Sequence, residues 1–335
     1  MIDLFKVAKD IEKLWEDEKL DKKKFSQIAF EYLNSLIVNF ELNEIESLVA
    51  QLTIKKELPK QLNVYNNFGQ PPVTIFNNGK FVVDLYFWQD IDTSIHSHSF
   101  CGAFKVISGR SFHEVYEMKK LIEYAPDVVK TELILNRSEL LQTGDVREII
   151  AGNSFNHRVV HLDNPTVTLC VRTIDQTNEG QWHHFSNGLS IEKREIDESE
   201  IKSLFVLEYL LVRGNDSAQS FIEELLDSWD ISLTMNIFEQ LLNDGMGLKP
   251  DIANYLVDYI SSKYAEQEWF QIYEEYYSLM EEYIRLEDDS PSARFIEVAL
   301  NGLYPLEISI PLLETIQSVP ANDEQLEQLS ARLED

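Results

Sequence analysis

IHSHSFCGAFKVISG, residues 95–109, decides how the chain is read. His96 and His98 stand one residue apart in a run of apolar and β-prone residues. On a strand, successive side chains alternate between faces, so residues i and i+2 share one. The spacing therefore predicts a strand over His96–Ile107 with both imidazoles on the same side. Two neutral imidazoles presented by one rigid strand make half of a transition-metal site. The rest of the chain has to bring the other ligand and the walls.

Working outward, residues from Gln61 to about Thr173 are short β-rich runs broken by turn signals. Asn77-Asn78-Gly79 marks a hairpin between Val73–Phe76 and Lys80–Trp88. Further strands are expected at Ser111–Met118, Lys130–Leu135, Asp145–Ile150, Asn156–Leu162 and Val167–Thr173. Many closely spaced short strands point to an antiparallel sandwich or barrel. In the segment GDVREIIAGNSFNHRVVHLDNPTVTLCVRT, which Gly144 opens, His157 stands at the start of a strand. If the sheet rolls into a barrel, His157 faces His96 and His98. His161 shares its face by alternation and is expected as a partner of a ligand, a proton shuttle or a buried, hydrogen-bonded histidine. Cys101 has the opposite parity to the ligands. Cys170 points inward with Thr168 and Arg172, and a small buried filler is the ordinary role for both cysteines. His113, His183 and His184 fall outside the pattern. Asp90 and Asp92 precede the HxH strand and read as a polar turn.

His96-x-His98, Gly109, Gly144 and His157 together resemble the two-part motif of the cupin superfamily, small double-stranded β-helix barrels with a metal held by histidines. The first motif of that family usually carries a glutamate after the second histidine; Gly102 or Ala103 occupies its place here. A set of three histidines with no carboxylate is similar to the thiol dioxygenases, including cysteine dioxygenase. NGKFVVDLYFW at 78–88, SIHSH at 94–98, Gly102, Gly109 and His157-Arg158-Val159 with Pro165 carry that likeness over roughly residues 60–175. The resemblance implies iron(II) at His96, His98 and His157, although the same donors also take zinc, nickel, copper or manganese. It implies a small thiol-bearing acid as substrate. The family's Ser-His-Tyr series falls on Thr168, Cys170 and Arg172, so its tyrosine is absent, and so is its substrate-binding arginine before the NGK turn. Arg172 is expected to hold an anion from the opposite wall, since a planar guanidinium suits a carboxylate. Arg172 and His161 are thus the candidate catalytic residues.

The flanks are helical. Phe25, Ile28, Ala29, Tyr32, Leu33, Leu36, Ile37 and Phe40 form an i, i+3, i+4, i+7 stripe. From Glu192 on, stripes such as Phe221/Leu225/Leu226 and Tyr255/Leu256/Tyr259/Ile260 recur, with breaks at Asn215-Asp216-Ser217, Lys249-Pro250-Asp251 and Asp289-Ser290-Pro291. The expected organisation is an N-terminal helical segment at 1–60, a cupin β-barrel at 61–195 and a C-terminal all-α domain at 196–335, an α+β chain overall.

A formal net charge of −29 repels phosphate backbones and anionic membranes, so neither nucleic acid nor a membrane is expected as a partner. Two cysteines in 335 residues give no disulfide framework and suit a reducing, cytoplasmic setting. The opening MIDLFKVAKDIEKLWEDEK lacks the apolar core of a signal peptide. No GxGxxG, P-loop, GxSxG or CxxC pattern competes with the histidines. The expected function is therefore a mononuclear non-haem metal oxidoreductase acting on a small molecule. The rival is a non-catalytic metal- or ligand-binding cupin whose C-terminal helices engage a protein partner. Cupins often dimerise through sheet edges, which makes a homodimer a further expectation.

Overall fold

A computed structural model describes residues 4–37, 41–62, 72–90, 93–174, 180–193, 196–281, 284–301, 306–317 and 322–331. Phe40 and Asp92 lie outside the described residues. Three helices come first: α1 (Leu4–Asp17), α2 (Lys22–Ser35) and α3 (Leu42–Lys55). Nine strands follow: β1 (Pro72–Asn77), β2 (Phe81–Trp88), β3 (Ile95–His96), β4 (Gly102–Ser108), β5 (Ser111–Ala125), β6 (Val128–Leu141), β7 (Val146–Ile149), β8 (Asn156–His161) and β9 (Thr166–Thr173). Then come β10 (Trp182–His184), β11 (Leu189–Glu192), helices α4 (Glu198–Val212), α5 (Ala218–Ser228), α6 (Ile231–Asp244), α7 (Pro250–Tyr264) and α8 (Glu268–Glu281), and finally α9 (Pro291–Leu300), α10 (Leu306–Gln317) and α11 (Asp323–Ala331). Among the described residues no helix is long and apolar enough to cross a membrane.

The chain divides into two compact units. The first holds residues 1–118, 134–180 and 283–335. Its antiparallel five-stranded sheet has the order β1-β2-β9-β4-β7, and a second sheet sets β3, β8, β5 and β6 side by side. This β-barrel core with helical flanks is the cupin-type architecture expected from the sequence.

Both faces of the first sheet are buried, each for its own reason. Phe81, Val83 and Leu85 of β2 and Leu169 and Val171 of β9 face one way and join a core with Val7, Ile11, Trp15, Phe25, Ala29 and Leu33 of α1 and α2. The helical stripes of the N-terminus exist to cover this face. Residues of the other parity, Tyr86, Trp88, Thr168 and Cys170, line an internal cavity. On the second sheet, Phe112, Val160 and Leu162 pack on Phe295, Ile296, Val298 and Ala299 of α9. Arg294, itself buried, locks that contact by donating to the carbonyls of His161 and Gln89, both at 2.9 Å.

The stretch 95–109 differs from the expected single strand. β3 ends at His96 and pairs with β8, while β4 starts at Gly102 and pairs with β7 and β9. Residues 97–101 carry the chain from one sheet to the other, so His98 lies at a corner and not on the strand. Its backbone is held there by the Gly152 N–H, which donates to the His98 carbonyl at 2.8 Å. Re-entry into the first sheet requires glycine at 102, where an added Cβ would come within 2.0 Å of the Val171 carbonyl oxygen. Cys101 turns away from the cavity, with Sγ 3.4 Å from the Lys22 carbonyl.

The second unit holds residues 119–133 and 181–282. β5 runs past the expected Met118 to Ala125 within it, and β6 starts there at Val128, before the expected Lys130, and continues past Leu135 to Leu141 in the first unit; exposed charged residues hide the alternation of both. In the second unit β11 pairs with β6 (Ser190 with Val129) and with β10 (His183 with Ile191). These last two strands, three and four residues long, are too short to show a period in sequence. Val128, Leu189 and Ile191 share a core with Leu204, Leu207, Ile222, Phe238 and Phe270 of α4–α8. The final helices α9–α11 belong with the first unit.

Candidate metal centre

His96 and His157 are directly opposed across the β3–β8 ladder. His98 arrives from the adjoining corner. All three are at least nine-tenths buried, and one potential ligand atom from each lies within 4.8 Å of the others. The Nε2 atoms of His98 and His157 are 2.8 Å apart. Two imidazole nitrogens bound at about 2.0–2.1 Å and right angles to one ion would sit about 3 Å apart, so this spacing suits a facial site.

Hydrogen bonds orient two of the rings. The Ser94 carbonyl, 2.7 Å from His96 Nδ1, can only accept, so His96 carries a proton on Nδ1. His157 Nδ1 is 3.0 Å from His113 Nε2. His98 Nδ1 is buried without a hydrogen-bond partner. Burial, helped by neighbouring imidazoles, pushes His98 and His157 well below the usual histidine range and keeps them in the neutral form that ligates metals. Three converging imidazoles, one with an orphaned nitrogen, fit a bound transition metal.

The three rings open onto a cavity of about 60 Å³. Its walls are aromatic and aliphatic: Tyr86, Trp88, Phe100, Phe104, Ile149 and Val159. His161 also lines it, stacked on Trp88 with centroids 4.6 Å apart. Ser111 Oγ meets its Nδ1 at 3.0 Å, and its Nε2 is buried with no partner. Burial, then the charge of Arg294, pushes His161 down to about 3 from an ordinary 6.5. A folded-state value below the unfolded one contributes stability that is present above about 6.5 and lost as pH falls toward about 3. In His161→Phe, urea unfolding free energies measured across that window are expected to fall less steeply with acid than in the wild type. An identical slope would show that this imidazole does not carry the dependence.

Arg172 is buried but is not among the cavity-lining residues. Its Nε donates to Asp84 Oδ2 at 3.0 Å, and its guanidinium lies 4.9 Å from the Phe100 ring centroid. The Tyr86 hydroxyl donates to the same Asp84 oxygen at 3.3 Å. Arg172 thus helps to seat a phenol whose ring lines the cavity. Cys170, also lining it, is pushed up to about 12 by burial and stays a thiol. His184 lies in the second unit, with Nδ1 2.7 Å from Ser190 Oγ.

Sequence reasoning missed His113 and Glu139. His113 Nδ1 is 3.1 Å from Glu139 Oε1, and Arg147 donates to both oxygens of that carboxylate at 2.8 and 2.5 Å. Those hydrogen bonds, opposed by partial burial, hold Glu139 down to about 2. The available signal was parity: in the β5–β8 register His113 faces Val159, two residues from His157.

Fold and site together define a cupin-type barrel with a buried three-histidine cluster. Among solved structures the chain is similar to hydroquinone 1,2-dioxygenase PnpCD in complex with Cd2+ and 4-hydroxybenzonitrile, at 18% identity over 32% of this chain and 68% of that one, TM-score 0.24. It is also similar to an uncharacterised double-stranded β-helix protein from Klebsiella pneumoniae, at 15% identity over 38% and 90%, TM-score 0.23. A third is the Drosophila melanogaster CENP-C cupin domain, at 13% identity over 41% and 99%, TM-score 0.21. No protein-family model and no curated protein matches the sequence.

Proposed function

We propose that the protein is a mononuclear iron(II) oxidoreductase of the thiol-dioxygenase type, acting on a small molecule inside the barrel. The observation that carries this reading is the convergence of His96, His98 and His157 at the wall of an otherwise apolar cavity. Iron(II) held by three imidazoles would keep open positions for substrate and oxygen and supply the redox chemistry. The chain's own residues orient the substrate and exclude water. Trp88, Phe100 and Phe104 hold an apolar body. His161 Nε2 exchanges a hydrogen bond with a polar group on it. Arg172 keeps the Tyr86 hydroxyl in place through Asp84. Because the Arg172 charge is already met by Asp84, a thiol without a carboxylate is favoured over a thiol-bearing acid.

Metal analysis of protein expressed in iron- and zinc-supplemented media, followed by oxygen uptake with small thiols with and without a carboxylate, tests the proposal. Uptake is expected only for the iron-loaded form and more strongly for the uncharged thiols. A metal-loaded protein inert to every thiol would replace it with a ligand-binding role.

A further inference from the structure

The hydrogen bonds behind His157 form a directed chain. Glu139 accepts from Arg147 through both oxygens, and Arg137 Nη2 stands 3.3 Å from Oε1. An ionised carboxylate only accepts, so His113 Nδ1, 3.1 Å away, must be the donor. Two arginines already neutralise Glu139, and His113 is fully buried, so nothing calls for a second proton on its ring. His113 Nε2 is then a bare acceptor, and the atom 3.0 Å from it, His157 Nδ1, must carry hydrogen. That leaves His157 Nε2 bare, facing His98. We propose that Glu139 and His113 are positioning residues that hold His157 with its proton on Nδ1 and its Nε2 lone pair turned toward His96 and His98. The Ser94 carbonyl likewise holds a proton on His96 Nδ1. His98, whose Nδ1 has no such partner, is the ring that must change tautomer when a metal arrives.

The consequence is a site two-thirds prepared before any ion enters. Partners behind a metal-binding histidine typically change affinity by about 10–100-fold when removed. The proposal rests on the metal reading only for its affinity arm; its tautomer arm needs no metal.

Two measurements test it. Long-range 15N–1H NMR of the metal-free protein, labelled at histidine, reads the His157 tautomer; hydrogen on Nδ1 is expected, and hydrogen on Nε2 overturns the proposal. Zinc affinity by chelator competition is expected to fall at least about tenfold in His113→Phe, with His157 losing its single tautomer. A folded His113→Phe with unchanged affinity and an unchanged His157 spectrum also overturns it. Should His113→Phe not fold, Glu139→Ala, at a partly exposed position, is read the same way. If the wild type binds no zinc, the metal proposal fails alone and the NMR result still decides this one.

Discussion

Replacing His98 by alanine is expected to weaken metal binding by at least about 100-fold while leaving a folded protein, since losing a ligand costs more than losing a residue behind one. Its imidazole is in contact with Phe100 at 4.6 Å between centroids, and its Nδ1 satisfies nothing. Removing it therefore trades a little packing and the 2.8 Å contact with His157 Nε2 for the loss of an orphaned polar atom. The effect has a thermal signature. Metal present at 100 times its Kd stabilises the wild type by about 2.7 kcal/mol, which is roughly 5–10 °C for a unit of this size. At the same concentration, a variant binding about 100-fold more weakly gains only about 0.4 kcal/mol, so its melting temperature should scarcely move. Metal titration followed by scanning calorimetry reads both quantities. Retained stoichiometry and an undiminished shift in His98→Ala would remove His98 from the ligand set, and the proposed function with it.

Arg158→Met is expected to cost about 3–5 kcal/mol of stability, because it strands a carboxylate in the interior. Glu114 and Arg158 are directly opposed across β5 and β8, and their side chains are 0% and 2% exposed. Arg158 donates to Glu114 Oε2 through Nε at 3.0 Å and Nη2 at 2.7 Å, and the Tyr116 hydroxyl adds a bond of 2.6 Å. Glu114 Oε1 has no partner even with the pair intact. Removing the guanidinium leaves the carboxylate with one hydrogen bond. Exchanging both partners for methionine should recover most of the loss, since a buried pair barely outperforms apolar side chains of similar volume. Urea melts of the single and double variants measure this; a single-variant cost under about 1 kcal/mol would mean that water reaches the pair. The pair also bears on the metal centre. His113 and His157 flank it on the same two strands, facing the other way, so a loosened register should weaken metal affinity in parallel.

Some of this was legible in the residues themselves. The near-continuous apolar run Phe81–Trp88 marks a strand covered on both sides, and the helical stripes of the N-terminus supply one cover. The three histidines stand out by spacing and by the β context of His157. The reason given by spacing was nevertheless incomplete. Period-2 counting puts His96 and His98 on one strand, whereas the chain leaves the sheet after His96 and changes sheets before Gly102. Parity also misses what lies behind a ligand. His113 and Glu139 belong to strands whose side-by-side order no local pattern announces, and Arg172 cannot be seen from sequence to have met Asp84.

Composition and period determined by themselves that strands would form here, that helices would flank them and that imidazoles would gather on the buried side, because these are properties of single segments meeting water. Only the tertiary structure decided which nitrogen of His157 is bare, which cation is already neutralised and that His98 Nδ1 is buried without a partner. Those depend on hydrogen bonds between residues dozens of positions apart, whose donors and acceptors are matched only once both sheets are closed around them.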